Sequence, residues 1–268
     1  MLGTVQEFPE PVAFRIEVRL HYIFVLSKGK LTSNDILVMP MNMLDYASHQ
    51  QSFDIALAHF GQIDVLFNNA GRSQRATWED IHYLVDKELF DLNVFSVINL
   101  TRVAIHYFNS RGNGHVAVTS SGAGLFGAPY SASYTGSKHA IHGYYNSLRL
   151  EKQDSKVKLA VTIICPGPTS TEFLQECFTN NHGEKYGIDV KETDRRMSGE
   201  RCGQLCAIAL ANKSTEAWMS IFPVLHILYA YVYYPTLVNF IFRIFGTKRF
   251  FRFRDSTDPT FFKEVHNI

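Results

Sequence analysis

The chain has 268 residues, 46% of them hydrophobic, and a formal net charge of +1. This length and composition suit one large α/β domain with a full hydrophobic core. The near-neutral charge argues against a nucleic-acid-binding protein. No CxxC motif is present, and the one-turn spacing of Cys202 and Cys206 favours a buried structural pair over metal or redox chemistry. The other two cysteines are Cys165 and Cys177.

Residues 1–34 lack a regular pattern of strands and helices. Residues 12–26 alternate apolar with charged or polar side chains, which is the period of a strand, although arginine and glutamate also accept a helix. The early glycines stand far apart, at Gly3, Gly29 and Gly61. They cannot form the glycine-rich turn that opens a dinucleotide-binding domain. Neither a signal peptide nor an N-terminal membrane anchor is visible.

Regular elements begin at Asp35. Residues 36–41 predict a short strand, residues 46–60 an amphipathic helix that Gly61 ends, and residues 63–67 the next strand. Asn68-Asn69-Ala70-Gly71 follows at the carboxyl end of that strand, where ligands bind in open parallel sheets. A polar turn that only stops the strand is the alternative. Residues 80–109 then predict a long helix that carries Asn93.

Residues 116–138 contain the clearest chemistry, as a strand (116–119), a small polar loop (120–127) and a helix from about Ser133 to residue 153. Tyr134 and Lys138 are one helical turn apart, so they share a face at about 5 to 6 Å. Ser121 stands at the end of the strand. A nearby ammonium favours the tyrosine phenolate, which brings Tyr134 toward a working range for proton transfer. Because no side chain carries a hydride, a cofactor is implied.

The tyrosine and lysine spacing is weak evidence by itself. One such pair is expected by chance, and a second occurs at Tyr83 and Lys87. Tyr134 differs because Ser121 lies thirteen residues upstream, after a strand and a glycine-rich loop, whereas Tyr83 has Ala70 there. Two histidines on the same predicted helix, His139 and His142, have no third ligand at metal-binding spacing, so we expect no metal.

Residues 158–165 predict another strand, ended by Pro166-Gly167-Pro168. The following residues 172–198 are polar and charged, which is typical of a solvated loop. Residues 217–242 carry no charge and exceed the roughly 20 residues that cross a bilayer. Two prolines, a histidine and an asparagine interrupt this run, and its aromatic content favours an interface position.

A basic and aromatic segment follows the apolar run. Its cations are Lys248, Arg249, Arg252 and Arg254. Next to an apolar run, such residues favour contact with anionic lipid headgroups. A segment that closes an apolar substrate pocket, or that forms a dimer contact, is the alternative, and nucleic-acid binding is the least favoured.

Five motifs, in their order along the chain, resemble the short-chain dehydrogenase/reductase family. They are Asn68-Asn69-Ala70-Gly71, Leu92-Asn93-Val94, Ser121, the pair of Tyr134 and Lys138, and Pro166-Gly167. The resemblance covers residues 35 to about 210. It is nearest to the dehydrogenase/reductase member 7 subgroup, through the stretches DILVMP and YTGSKHAIHGYYNSLR and the aromatic tail.

The resemblance implies a Rossmann-like, doubly wound parallel α/β sheet, incomplete at the N-terminus because the glycine-rich turn is missing. It divides the chain into a divergent segment (1–34), a dehydrogenase/reductase domain (35–212) and an apolar, aromatic and basic helical extension (213–268). It also implies a homodimer, formed through helices 80–109 and 133–153. We expect membrane association, at the endoplasmic reticulum, with a cytoplasmic location as the alternative.

The same resemblance assigns the site residues. Tyr134 would be the acid/base, Lys138 would lower its pKa and hold the nicotinamide ribose, Ser121 would bind and orient the substrate oxygen, and Asn93 would anchor a water relay. The cofactor, NADP or NAD, would contact Tyr134 and Lys138 together with Asn42, Asn69, Ala70, Gly71, Pro166, Gly167 and Thr171. Asn42 stands where the family has an aspartate that touches the adenine. Residues 172 to about 198 would form a mobile lid.

The predicted function is therefore an NAD(P)-dependent oxidoreductase that interconverts a carbonyl and an alcohol on a lipophilic substrate such as a steroid or retinoid. Because the glycine-rich turn is missing, a second hypothesis stays open. The chain could be a truncated or non-catalytic family member that acts as a dimer partner or at a membrane.

Overall fold

The computed structural model describes residues 36–191 and 194–246, together with the backbone of two short strands, β1 (Thr4–Gln6) and β2 (Phe14–Glu17). Most of segment 1–34 and the basic stretch from Lys248 to Arg254 lie outside the described residues. Of the two interpretations of residues 12–26, the strand therefore holds for Phe14–Glu17, and the rest is not described.

A parallel sheet forms the centre of the fold. Among the described residues it has four strands, in the order β4 (Val65–Asn68), β5 (Asn113–Thr119), β6 (Lys158–Pro166) and β9 (Glu216–Met219). Val116 of β5 pairs with Val161 of β6, and all neighbouring strands in this sheet are parallel. A separate two-stranded sheet consists of β7 (Thr169–Ser170) and β8 (Met197–Ser198). The predicted strands 63–67, 116–119 and 158–165 correspond to β4, β5 and β6, whereas β9 was not predicted.

Helices cover both faces of this sheet, since successive residues of a strand point to opposite sides. On one face Val116 and Ile163 pack with Phe53, Phe108 and Ile141, which come from three helices. On the other face Ile164 and Met219 pack with the buried pair Cys202 and Cys206. This is the predicted doubly wound α/β architecture, and the prediction that the two cysteines are buried is also confirmed.

The helices lie close to their predicted positions. They are α1 (Ser48–Phe60), α2 (Tyr83–Phe90), α3 (Ser96–Arg111), α4 (Ala132–Gln153), α5 (Gly199–Ala211), α6 (Val224–Tyr233) and α7 (Pro235–Phe245). Gly61 ends α1 with a left-handed φ of 75°, a backbone conformation that glycine adopts at little cost. The predicted long helix 80–109 is instead α2 and α3 joined by one π-helical segment, Asp91–Phe95. Asn93 lies in that segment, and π-helical turns are frequent at functional sites.

Two predictions need correction. The predicted strand 36–41 is reduced to β3 (Pro40–Met41), and it pairs antiparallel with β2 rather than joining the parallel sheet. The C-terminal extension begins with β9 and is then helical, as predicted, with α6 and α7 divided at Pro235. Residues 172–198 are not simply a solvated loop, because they bury Leu174, Cys177 and Phe178.

Candidate active site

The carboxyl ends of β4, β5 and β6 open onto one cleft of about 270 Å³. Ligands bind at this edge in open parallel α/β sheets. Eight of the predicted site residues line the cleft, namely Asn69, Gly71, Ser121, Tyr134, Lys138, Pro166, Gly167 and Thr171. The fold therefore brings together residues from Asn69 to Thr171, which are 102 positions apart in the chain.

Lys138 lies at the base of the cleft. Its Nζ donates a hydrogen bond to the Thr119 carbonyl oxygen at 2.8 Å and stands 5.6 Å from the centre of the Tyr134 ring. The side chain is only 3% exposed, and burial lowers the pKa of Lys138 to about 8. The lysine therefore remains mostly protonated at neutral pH and presents a positive charge beside the tyrosine.

Ser121 is held at the end of β5 by two contacts. Its Oγ accepts a hydrogen bond from the Ala123 backbone N–H at 3.1 Å, which caps a short 3-10 helix, and donates to the Pro166 carbonyl oxygen at 3.5 Å. The hydroxyl is thus fixed where β5 and β6 end, on the wall of the cleft that also carries Tyr134.

Asn93 does not line the cleft, but its side chain connects two of the segments that form the cleft. Its Oδ1 accepts from the Arg72 backbone N–H at 2.8 Å, and its Nδ2 donates to the Arg72 carbonyl oxygen at 2.8 Å and to Ser137 Oγ at 3.0 Å. Ser137 Oγ in turn donates to the Tyr134 carbonyl oxygen at 2.8 Å. The buried amide therefore links the segment after β4 to the helix that carries Tyr134.

Two glycines let the backbone pack closely against neighbouring side chains at this edge of the sheet. A Cβ on Gly71 would lie 3.0 Å from Asn93 Oδ1 and 3.5 Å from Lys138 Nζ, and a Cβ on Gly167 would lie 2.1 Å from Ser220 Oγ. Beside Gly71, Asn69 Oδ1 accepts a hydrogen bond from Thr119 Oγ1 at 2.8 Å. Both glycines sit where any side chain would displace a neighbouring residue.

Two predicted cofactor contacts are placed elsewhere. Asn42 Oδ1 accepts from the Leu44 backbone N–H at 3.0 Å and so caps the turn after β3. Ala70 packs against a separate buried cluster around Met41 and Leu92. Neither residue lines the cleft.

The second tyrosine and lysine pair is a surface feature. Tyr83 is 68% exposed, and Lys87 pairs with Asp91 at 2.9 Å on the outside of the protein. The context of Tyr134 thus separates the two pairs as predicted.

Comparison with known proteins identifies the family. A family model described as short chain dehydrogenase matches residues 24–182. Dehydrogenase/reductase SDR family member 7 of Homo sapiens is 32% identical over 233 residues, which cover 87% of this chain and 68% of that protein. This chain belongs to the short chain dehydrogenase family. The predicted resemblance to the member 7 subgroup is confirmed with it, and the family is one of oxidoreductases.

Solved short chain dehydrogenases share this fold. The enzyme from Streptomyces avermitilis superposes with a TM-score of 0.61 at 22% identity, covering 76% of this chain and 77% of the other. A short chain dehydrogenase/reductase from Burkholderia phymatum, solved in complex with NAD, gives a TM-score of 0.62 at 17% identity, covering 84% and 79%.

Three arginines of this short chain dehydrogenase cleft were not among the residues predicted for the site. Arg72, Arg75 and Arg196 all line it and are almost fully buried. Arg72 pairs with Glu176 at 3.0 Å and places its guanidinium 4.7 Å from the centre of the Phe178 ring. Arg75 donates to Ser73 Oγ and to Ser131 Oγ. Arg72 and Arg75 follow Gly71 by one and four residues, and this position was the sequence signal that could have identified them.

The C-terminal extension supplies an apolar wall. Val224, Ile227 and Leu228 of α6 line the cleft, and Leu228 packs on Ala123 and Phe126 with only 2% of its surface exposed. Tyr134 borders the same cluster, and its ring also meets Phe173 edge-on at 6.0 Å. One side of α6 therefore forms part of the cleft beside the tyrosine.

The opposite side of the extension is exposed. The outer apolar surface, as we call it, combines α6 and α7 and consists of Tyr229, Val232, Tyr233, Leu237, Phe240, Ile241, Ile244 and Phe245. Each of these residues exposes between 39% and 69% of its surface. Within residues 36–246 as far as they are described, no helix combines the length and apolar character needed to cross a membrane.

Proposed function

We propose that this chain is an NAD(P)-dependent oxidoreductase that interconverts a carbonyl and an alcohol on a lipophilic substrate, with Tyr134 as the acid/base. The observation that carries the proposal is the convergence of Tyr134, Lys138 and Ser121 on one cleft with an apolar wall beside the tyrosine. Membership of the short chain dehydrogenase family supports a nicotinamide cofactor.

The cleft fits the nicotinamide end of such a cofactor. Gly71 and Gly167 keep the backbone free of side chains, Lys138 offers an ammonium to a ribose hydroxyl, and the segment from Pro166 to Thr171 offers backbone groups to a carboxamide. The nicotinamide ring, when bound, supplies or takes up the hydride that no side chain can carry.

The protein's own residues perform the proton transfer. In the reducing direction, Tyr134 donates its phenol proton to the substrate oxygen, and in oxidation it accepts that proton. The nearby Lys138 ammonium favours the phenolate form of Tyr134, which lowers the cost of proton transfer. The Ser121 hydroxyl donates a hydrogen bond to the same oxygen, and Asn93 positions Tyr134 through Ser137.

The test is reduction of lipophilic ketones by NADH or NADPH with the detergent-purified chain. Tyr134→Phe should lower turnover by at least about 100-fold, in line with the usual contribution of a general acid, without changing the circular dichroism. Tyr83→Phe is the matched control, because it alters the exposed pair of the same spacing and should retain full activity. Equal turnover in Tyr134→Phe and the wild type would disprove the assignment.

We further propose that the outer apolar surface rests on an anionic membrane. Eight large apolar side chains exposed together are typical of an interaction site. The sequence that follows α7 supplies four cations within seven residues, from Lys248 to Arg254, which suits anionic headgroups. This position would let a lipophilic substrate pass from the bilayer to the cleft along α6.

Vesicle sedimentation tests this surface. Binding to phosphatidylcholine vesicles should increase when phosphatidylserine is included, and Phe240→Asp combined with Ile244→Asp should reduce binding to both. Leu150→Asp, which changes an equally exposed apolar residue on α4, is the control and should bind as the wild type does. Binding that the double variant retains in full would refute the membrane proposal.

The alternative function is a non-catalytic partner of a full-length relative. It is favoured by the wide spacing of the early glycines, Gly3, Gly29 and Gly61, which does not form the glycine-rich turn of a dinucleotide-binding domain. The exposed Tyr83, Phe95, Tyr144 and Leu150 on and between α2 and α4 would suit the predicted dimer contact. Light scattering of the purified chain would show whether it forms a homodimer.

A further inference from the structure

Three metal-ligating side chains meet behind the cleft. His142 of α4, Cys165 at the end of β6 and Glu216 at the start of β9 place their ligand atoms within 4.8 Å of one another. None of the three lines the cleft, and the mechanism above does not use them. They lie on the sheet face that α4 covers, because Glu216 pairs with Ile163, whose side chain shares that face with Cys165.

The spacing of these atoms is close to that of a zinc site. His142 Nε2 stands 3.6 Å from Cys165 Sγ. In tetrahedral zinc sites, Zn–S distances of about 2.3 Å and Zn–N distances of about 2.0 Å place these two atoms about 3.5 Å apart. The thiol and the imidazole thus already have the spacing of two ligands of one ion. Glu216, which also accepts a hydrogen bond from the Trp218 indole N–H, offers a carboxylate oxygen within 4.8 Å of both.

Charge and surroundings also suit a divalent cation. A cysteine thiolate and a glutamate carboxylate together balance the two positive charges of Zn²⁺, and the thiol proton is released to solvent on binding. Cys165 is fully buried, but His142 and Glu216 are partly exposed and give the ion a route in. Gly124 leaves space next to His142, since a Cβ there would lie 2.9 Å from His142 Nε2 and 2.5 Å from Ser120 Oγ.

We propose that His142, Cys165 and Glu216 bind one Zn²⁺ ion, with the fourth position left to water or to the Ser120 hydroxyl. The site would be structural, because it joins α4, β6 and β9. His142 follows Lys138 by one helical turn, and Cys165 immediately precedes Pro166, so the ion would hold two walls of the cleft together. Sequence spacing did not reveal this site because its ligands come from three separate elements.

Cobalt substitution tests the proposal on the full chain after removal of metal by a chelator. Titration with Co²⁺ should produce a thiolate-to-cobalt charge-transfer band and the visible bands of a tetrahedral site, saturating at one ion per chain, and Zn²⁺ should abolish both. Cys165→Ser should lose the charge-transfer band, and His142→Gln should lose the saturable site. Cys177→Ser and Cys202→Ser, which alter other buried cysteines, should leave the spectrum unchanged.

A further variant guards against misfolding. His142→Cys keeps three ligands and should bind Co²⁺ with a stronger charge-transfer band, because a second thiolate is added. Zn²⁺ should also raise the melting temperature of the wild type but not that of His142→Gln. Absence of the charge-transfer band in the wild type, or its survival in Cys165→Ser, would overturn the proposal. These measurements do not require enzymatic activity, so they are independent of the proposed function.

Discussion

Replacement of Asn93 by alanine should destabilise the protein strongly. The Asn93 amide is 1% exposed and satisfies both backbone groups of Arg72, the N–H and the carbonyl oxygen, at 2.8 Å each. The third hydrogen-bond partner of Asn93 is Ser137 Oγ, which still donates to the Tyr134 carbonyl oxygen after the substitution. Alanine therefore removes two hydrogen bonds to the buried backbone of Arg72, and the loss of each costs about 1 to 3 kcal/mol. We expect Asn93→Ala to lower the free energy of unfolding by about 3 kcal/mol, since water can enter part of the space.

Urea denaturation followed by tryptophan fluorescence measures this loss. Asn109→Ala is the matched control, because Asn109 is exposed on α3 and accepts only from Lys152 Nζ at 3.0 Å. A surface contact of this kind contributes less than about 0.5 kcal/mol. Asn93→Asp should destabilise at least as much as Asn93→Ala, because it buries a carboxylate and turns one of its oxygens toward the Arg72 carbonyl oxygen. If Asn93→Ala and Asn109→Ala unfold at the same urea concentration, the amide does not hold this edge of the cleft.

Two further predictions concern Lys138 and Gly167. Because burial lowers the pKa of Lys138 from 10.5 to about 8, the unfolded chain binds one more proton than the native chain between these values. The free energy of unfolding in urea should therefore rise with pH across this window, and Lys138→Met should remove the rise. If this free energy changes with pH in the same way in both proteins, Lys138 is not buried as a charged group. Gly167→Ala would place a Cβ 2.1 Å from Ser220 Oγ and should lower the free energy of unfolding by about 1 to 3 kcal/mol. Gly127→Ala is the control, because a Cβ there meets nothing within 4 Å and should not change stability. Equal melting temperatures for the two variants would refute the close packing of Gly167 on Ser220.

Much of the fold was predictable because its signals are local. Buried strands such as Asn113–Thr119 read as apolar runs, and Gly61 marks the end of α1 with a residue that tolerates a left-handed conformation. The central cleft followed from the same rule, since the carboxyl ends of parallel strands share an edge. The rule predicted a ligand beside Gly71, and the family resemblance added Ser121 and Gly167 to the same site.

The sequence-based predictions fail where contacts between residues far apart in the chain determine the local structure. The uncharged run 217–242 reads as one apolar segment, yet Ala217 and Met219 pack on the sheet as part of β9. The polar stretch 172–198 reads as solvated, yet Phe178 is buried because its backbone pairs with Ser73 and Arg75 beside the cleft. The grouping of His142 with Cys165 and Glu216 depends on how α4 crosses β6 and β9, which no spacing in the sequence reports.

The most direct test of the account is nicotinamide cofactor binding by the purified chain in detergent. Calorimetric titration with NADPH and with NADH, repeated on Lys138→Met, measures it. We predict saturable binding of at least one of the two cofactors by the wild type, and a large loss of affinity in the variant. Absence of binding up to millimolar cofactor would contradict the proposed enzyme and would favour the non-catalytic alternative.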